Sequence, residues 1–249
     1  MTESITARKN ALAVHLRTLG RSGAYRRENG SYICDGEKLL REALRFGAVV
    51  KTVLWREKPG FDLPAGIRAY TAPAELYDYV SPLQNSPGPL FEVAIPAIDG
   101  GDLGRHVLVL ENVQDPGNVG TVLRTANAFG CGAVVLTGAC ADLYNPKTVR
   151  AAMGALFRQR VVQTALSDLP ALLGDRPLYG AALTDTAKDL RELDLADCAV
   201  AIGSEGRGLS AELLSLCRGE LIIPMQPGSE SLNAAVAAAI VLWECVRRE

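Results

Sequence analysis

The chain has 249 residues, 48% hydrophobic and 22% charged, with a formal net charge of −2 at pH 7. That length suits one large domain or two modest ones, and the composition is ordinary for a soluble globular protein. The longest apolar stretch, AAVAAAIVLW at 234–243, is about half a membrane span, so a buried helix is expected there and no membrane partner.

The opening MTESITARKN is polar, with no apolar region behind it, which argues against a secretory signal. Leu12, Leu16 and Leu19 then give residues 4–20 a helical spacing, which GRSGAYRRENG should break with glycine and asparagine. SYICDGEKLLREALRFG reads as a strand, an acidic turn and a helix ending at Gly47. VVKTVLWRE is a strand, AELYDYVSPL a helix and PLFEVAIP a closing strand. This order predicts a small α/β domain over 1–97, and IDGGDLG at 98–104 is the expected linker.

From His106 onward strands and helices alternate more strongly. HVLVLENV, GAVVLTG, VVQTAL, PLYGAAL, CAVAIGSEG and GELIIPM read as strands, with helices expected at 119–129, 146–157, 168–173, 209–216 and 231–247. The pattern predicts an α/β domain with a mainly parallel sheet over 105–249.

Charge is unevenly distributed. Residues 1–58 hold 12 Lys and Arg against 6 Asp and Glu, and the remaining 191 hold 14 against 22. The basic front implies either an anionic partner or a solvated helix face. The six cysteines form no C-x-x-C pair, and with two histidines no zinc spacing can be assembled. Reduced thiols in a cytoplasmic protein are expected.

Three polar loops follow apolar strands, at the edge where open α/β sheets bind ligands. They are DPGNVGTVLRTANAFG at 115–130, AVAIGSEGRGLS at 199–210, and LIIPMQPGSESLNAAVAAAI at 221–240. Each also has a structural reading, as a tight turn, a helix cap or a surface pair. Neither G-x-G-x-x-G nor a P-loop is present, which weighs against a dinucleotide-dependent oxidoreductase.

The order NVQDPGNVGTVLRTA, IGSEGRGL, IPM and SLNAAVA resembles the SpoU (TrmH) family of RNA 2′-O-methyltransferases in the α/β-knot superfamily. The resemblance covers 106–249, and a weaker one, through SYICDGEKLLREAL, likens the first domain to the family's substrate-binding unit. It implies a trefoil-knotted catalytic domain, an exception to the rule that chains avoid knots, and a homodimer. It places Asn118 and Arg124 on the first motif, with Arg124 catalytic, Glu205 on the second, and Ser231 and Asn233 on the third. S-adenosylmethionine is the implied methyl donor, with no metal. Gly203, Ile223 and Leu232 would hold it by backbone, and Thr137, Gly138 and Met225 would be wall residues. Ala152 stands where relatives often carry serine.

The implied substrate is a ribose in structured RNA, 23S rRNA first and tRNA as the alternative. A non-catalytic RNA-binding knot protein is the rival class. Arginine has a pKa above ~12, and holding it neutral near pH 7 would cost roughly 8 kcal/mol. Arg124 is therefore expected either to become a transient neutral base or to stay cationic and stabilise a developing alkoxide beside a phosphate. Asn118 and Asn233 are expected to orient that guanidinium or the ribose.

Overall fold

The computed structural model describes residues 2–97, 101–226, 228–229 and 231–247. They divide into two compact units, one of residues 1–97 with 142–157, the other of 98–141 with 158–249. Within the expected 98–104 linker, residues 98–100 lie outside the described residues, and 101–104 group with the second unit.

In the first unit the order is β1 (Glu3–Ser4), α1 (Ala11–Arg21), α2 (Gly23–Asn29), β2 (Ser31–Asp35), α3 (Glu37–Arg45), β3 (Val50–Arg56), β4 (Arg68–Ala72), α4 (Ala74–Val80) and β5 (Leu90–Ala94). Helix α1 starts later than its leucine spacing predicts. Asn10 caps it by accepting from the Leu12 amide at 2.9 Å, and Ala13, Leu16 and Leu19 are its buried face. Residues 3–4 instead pair with β4. The expected break at GRSGAYRRENG is a second helix. Ser22 accepts from the Tyr25 amide at 3.2 Å, and Gly30 closes the helix in the left-handed conformation.

The sheet order among the described residues is β1-β4-β3-β5-β2. Strand β4 runs parallel to both neighbours and β5 antiparallel to both of its own.

The second unit opens with β6 (Val107–Glu111), α5 (Pro116–Ala128) and β7 (Ala133–Thr137). The chain then passes to α6 (Pro146–Ala152), which belongs to the first unit, and returns through β8 (Arg160–Thr164), α7 (Leu169–Leu173), β9 (Leu178–Ala181), β10 (Lys188–Asp189), β11 (Ala199–Ile202), α8 (Ala211–Leu216), β12 (Gly219–Ile222) and α9 (Ala234–Val246). The sheet order is β10-β12-β9-β11-β6-β7-β8 among the described residues, and every pair is parallel. Strands β6, β7 and β11 are buried along their whole length. Their unbroken apolar runs reflect a sheet covered on both faces. Among the described residues no helix is long and apolar enough to cross a membrane.

The grouping of 142–157 with the first unit departs from the expected division at residue 105. Arg26, only 4% exposed, explains it chemically. Its guanidinium donates to Asp142 Oδ2 at 2.5 Å and to the Leu19 carbonyl at 2.6 Å. Tyr144 packs on Tyr32, ring centroids 4.7 Å apart, and Val149 enters the core beside Leu40 and Trp55.

Candidate active site

Asp115 begins α5 by accepting from the Asn118 amide at 2.8 Å. Asn233 begins α9, its Oδ1 accepting from Ala235 at 3.0 Å and Val236 at 3.3 Å. These caps turn two side-chain amides toward each other, and Asn233 Nδ2 donates to Asn118 Oδ1 at 3.0 Å. The loop after β11 supplies the third member. Glu205 Oε1 accepts from Asn118 Nδ2, from Asn233 Nδ2 at 3.3 Å and from the Ala234 amide at 3.4 Å. One carboxylate oxygen thus ties together all three motif loops, with the positive end of the α9 dipole beside it.

A cavity of about 380 Å³ lies at the carboxyl ends of β9, β11 and β12. Gly203, Glu205, Ile223, Met225, Ser231 and Leu232 all line it. Its volume and largely apolar lining suit a small organic ligand held by a few polar groups. Thr137 and Gly138 are not among its lining residues. They end β7, and both β11 and β6 separate that strand from β9. Thr137 is 2% exposed, and Gly138 adopts φ +64 against the Asn112 side chain. The cavity is lined in their place by Ala181, which ends β9, and by Ala182, Leu183 and Thr184 after it.

Gly203 also has a different reason from the one its position suggests. A Cβ there would lie 2.1 Å from the Gly208 carbonyl and 2.5 Å from the Leu209 amide nitrogen. The loop's own backbone excludes a side chain, with no ligand needed. That loop is closed by a Gly208 amide to Ser204 carbonyl bond of 2.9 Å.

Glu111 is a positioning residue the motif reading passed over. It closes β6, is 3% exposed, and accepts from the Ser210 amide at 2.7 Å and the Ser210 hydroxyl at 2.6 Å. It therefore anchors the far end of the Glu205 loop to the central strand. An acidic residue closing the apolar run HVLVLE was the available signal.

Arg124 stands apart from the bonded cluster. It is an exposed residue of α5, and no hydrogen bond or ion pair joins it to the described residues. The Asn118 and Asn233 amides bond to each other and to Glu205, not to this guanidinium. A second depression, of about 430 Å³, runs between α5 and α9 and is lined by Asn118, Thr121, Thr125, Asn233, Val236 and Trp243, among others. Val236 is 47% and Trp243 54% exposed. Among the described residues no three His, Cys, Asp or Glu are placed to hold a metal.

A wholly parallel α/β sheet with a cavity and a bonded polar cluster at one carboxyl edge defines a ligand-binding α/β enzyme fold. Residues 105–243 match the SpoU rRNA Methylase family model, and the chain belongs to that family. It is 34% identical over 225 residues to the 23S rRNA (guanosine(2553)-2′-O)-methyltransferase RlmP of Bacillus subtilis (strain 168), covering 88% of this chain and 89% of that protein. Its fold matches the SpoU methyltransferase AviRb of Streptomyces viridochromogenes, solved with AdoMet, at TM-score 0.84 and 26% identity, over 96% of this chain and 98% of the other. An AdoMet-bound rRNA methyltransferase from Sinorhizobium meliloti shares the fold at TM-score 0.88 and 24% identity, over 99% and 98% of the two chains. The chain is an S-adenosylmethionine-dependent RNA methyltransferase of the SpoU type.

Proposed function

We propose that this protein methylates a ribose 2′-hydroxyl in structured RNA, with 23S rRNA as the substrate. The observation that carries the reading is the cluster of Asn118, Glu205 and Asn233, which joins three loops at the rim of the 380 Å³ cavity. When bound, S-adenosylmethionine supplies an electrophilic methyl group on a sulfonium whose leaving group is a neutral thioether.

The chain's residues then have separable tasks. Gly203, Ile223, Met225 and Leu232 form the donor wall, with Ala181–Thr184 opposite in sequence. Glu205 fixes Asn118 and Asn233, and Ser231 lies within reach of the donor cavity for a substrate phosphate or hydroxyl. Arg124, exposed and without a carboxylate partner among the described residues, acts as a cation that stabilises the developing alkoxide beside an RNA phosphate.

Four finer features accompany this reading. The C-terminal domain is a trefoil knot, supported by the insertion of β11 between β9 and β6. The chain works as a homodimer through the apolar α5–α9 depression around Val236 and Trp243. The first unit binds the RNA, and the compartment is the cytoplasm, in keeping with six free cysteines.

Incubating the protein with methyl-labelled donor and unmodified 23S rRNA or tRNA transcripts tests the proposal. Label in 23S rRNA, mapped to one ribose, is expected. Label confined to tRNA would move the substrate, and none in either would favour a non-catalytic RNA-binding protein.

A further inference from the structure

Among the described residues of the first unit, six arginines lie against an aromatic ring or within an ion pair; Arg45 meets only its neighbour Phe46, and the other five sort into two groups. Arg26, Arg41 and Arg56 are neutralised by Asp142, Glu37 and Asp78. Arg8 and Arg17 are not paired with any carboxylate among the described residues. Both nevertheless converge on one ring, their guanidinium carbons 4.7 Å and 3.7 Å from the centroid of Tyr79.

Two like charges at one ring repel each other, and that repulsion persists until an anion arrives. Arg17 and the ring are each held by a further contact. Arg17 projects from α1 and donates to the backbone carbonyl of Tyr79, which fixes its plane. Tyr79 itself is half-buried in α4, packed against the core that holds Leu16 and Leu76. Arg8 is exposed, beside Lys9 and before the first turn of α1, and Arg21 follows Arg17 one turn later on the same helix.

We infer that Arg8, Tyr79 and Arg17 form a preorganised docking point for the RNA backbone, the guanidinium forks taking phosphate oxygens. An unpaired base adjoining that phosphate can stack on the exposed guanidinium plane. The inference rests on the RNA-modifying reading above and adds the place where the first unit grips its substrate. A protein partner is the lesser fit, because the two guanidinium groups cover the ring they share and leave charge as what the site presents.

The test uses the full chain and an unmodified 23S rRNA transcript, with binding measured across a salt series. Each lost phosphate contact should lower the slope of log affinity against log salt by about 0.7 to 0.9. Arg8→Gln should lower it by that amount and weaken binding about 3- to 10-fold at low salt, with the affinity for S-adenosylmethionine unchanged. Arg8→Lys should restore the slope, because the charge is kept, while leaving affinity short of the parent's. Tyr79→Phe should bind as the parent does, and Tyr79→Leu should match Arg8→Gln if it folds. An unchanged slope in a folded Arg8→Gln variant overturns the docking point. Methyl transfer to the same transcript is followed in parallel. Parent protein that methylates RNA while Arg8→Gln binds normally sinks only this inference, whereas parent protein that neither binds nor methylates the transcript sinks the functional reading with it.

Discussion

The side-chain amide of Asn233 donates to Glu205 Oε1 at 3.3 Å while its carbonyl oxygen caps the first turn of α9. Asn233 is therefore committed in both directions, and the acidic residue sets which way its amide faces. Glu205→Gln keeps an acceptor oxygen and loses the charge assistance, worth about 1 kcal/mol, so turnover should fall roughly fivefold. Glu205→Ala releases both asparagines and should cost more than tenfold. Single-turnover methylation rates check this, and equal rates for the alanine variant and the parent would mean the cluster is decorative.

Gly203 and Gly206 sit three residues apart in one loop and should respond oppositely to alanine. At Gly203 the new Cβ meets backbone at 2.1 Å, whereas at Gly206 nothing lies within 4 Å. Gly203→Ala should destabilise the second unit by about 1–3 kcal/mol and weaken donor binding through the displaced loop. Gly206→Ala should leave melting and calorimetric donor affinity near the parent values. Similar behaviour of the two would refute the backbone-clash account.

Arg26 and Asp142 hold residues 142–157 to the first unit. Breaking a buried pair by deleting one partner costs about 3–5 kcal/mol, and the partly exposed Asp142 puts Arg26→Ala near the lower end. Denaturant unfolding should show that loss in the transition of the first unit. A change under 1 kcal/mol would show that Tyr144 and Val149 hold the segment without the ion pair.

Trp243→Glu places a charge in the α5–α9 depression. On the homodimer proposal, sedimentation should show monomer for the variant and dimer for the parent. A parent that sediments as monomer contradicts the proposal directly.

Much of this architecture was legible because apolar runs such as VLVLE and AVVLT announce strands buried on both faces, although the caps fall elsewhere than expected, at Asp115 for α5 and at Asn233 for α9. What escaped were elements whose residues lack that contrast. RAYTA at β4 mixes polar and apolar residues and has one fully buried position, and α2, GAYRREN, is mostly polar and is held by a serine cap and one buried arginine. The members of the polar cluster were legible through the three motifs, whereas their bonding was not, because Asn118 lies behind the Asp115 cap, Asn233 is itself the cap of α9 and Glu205 comes from the loop after β11. The lining of the cavity was legible at Gly203, Ile223, Met225 and Leu232 but not at the end of β9. Thr137 and Gly138 follow a strand as surely as Ala181–Thr184 do, and only the spatial order β12-β9-β11 decides which strand ends share a cavity. That order depends on crossovers between distant segments, and local residue patterns carry no record of them. The attachment of 142–157 to the first unit escaped for the same reason, because α6 is amphipathic whichever core receives it.

Arg124 is the residue on which the catalytic proposal turns, being exposed on α5 and free of any carboxylate among the described residues. The decisive measurement compares Arg124→Ala with the parent in a single-turnover methyl-transfer assay, with donor affinity followed by calorimetry. The account predicts a rate lower by at least ~10², the scale for losing one charge-stabilising group, with donor affinity within a few-fold. Arg124→Lys, which keeps the charge but loses the planar fork, should remain impaired at every pH. Near-normal transfer by Arg124→Ala would contradict the catalytic assignment, and recovery of Arg124→Lys toward high pH would replace the cationic role with that of a neutral base.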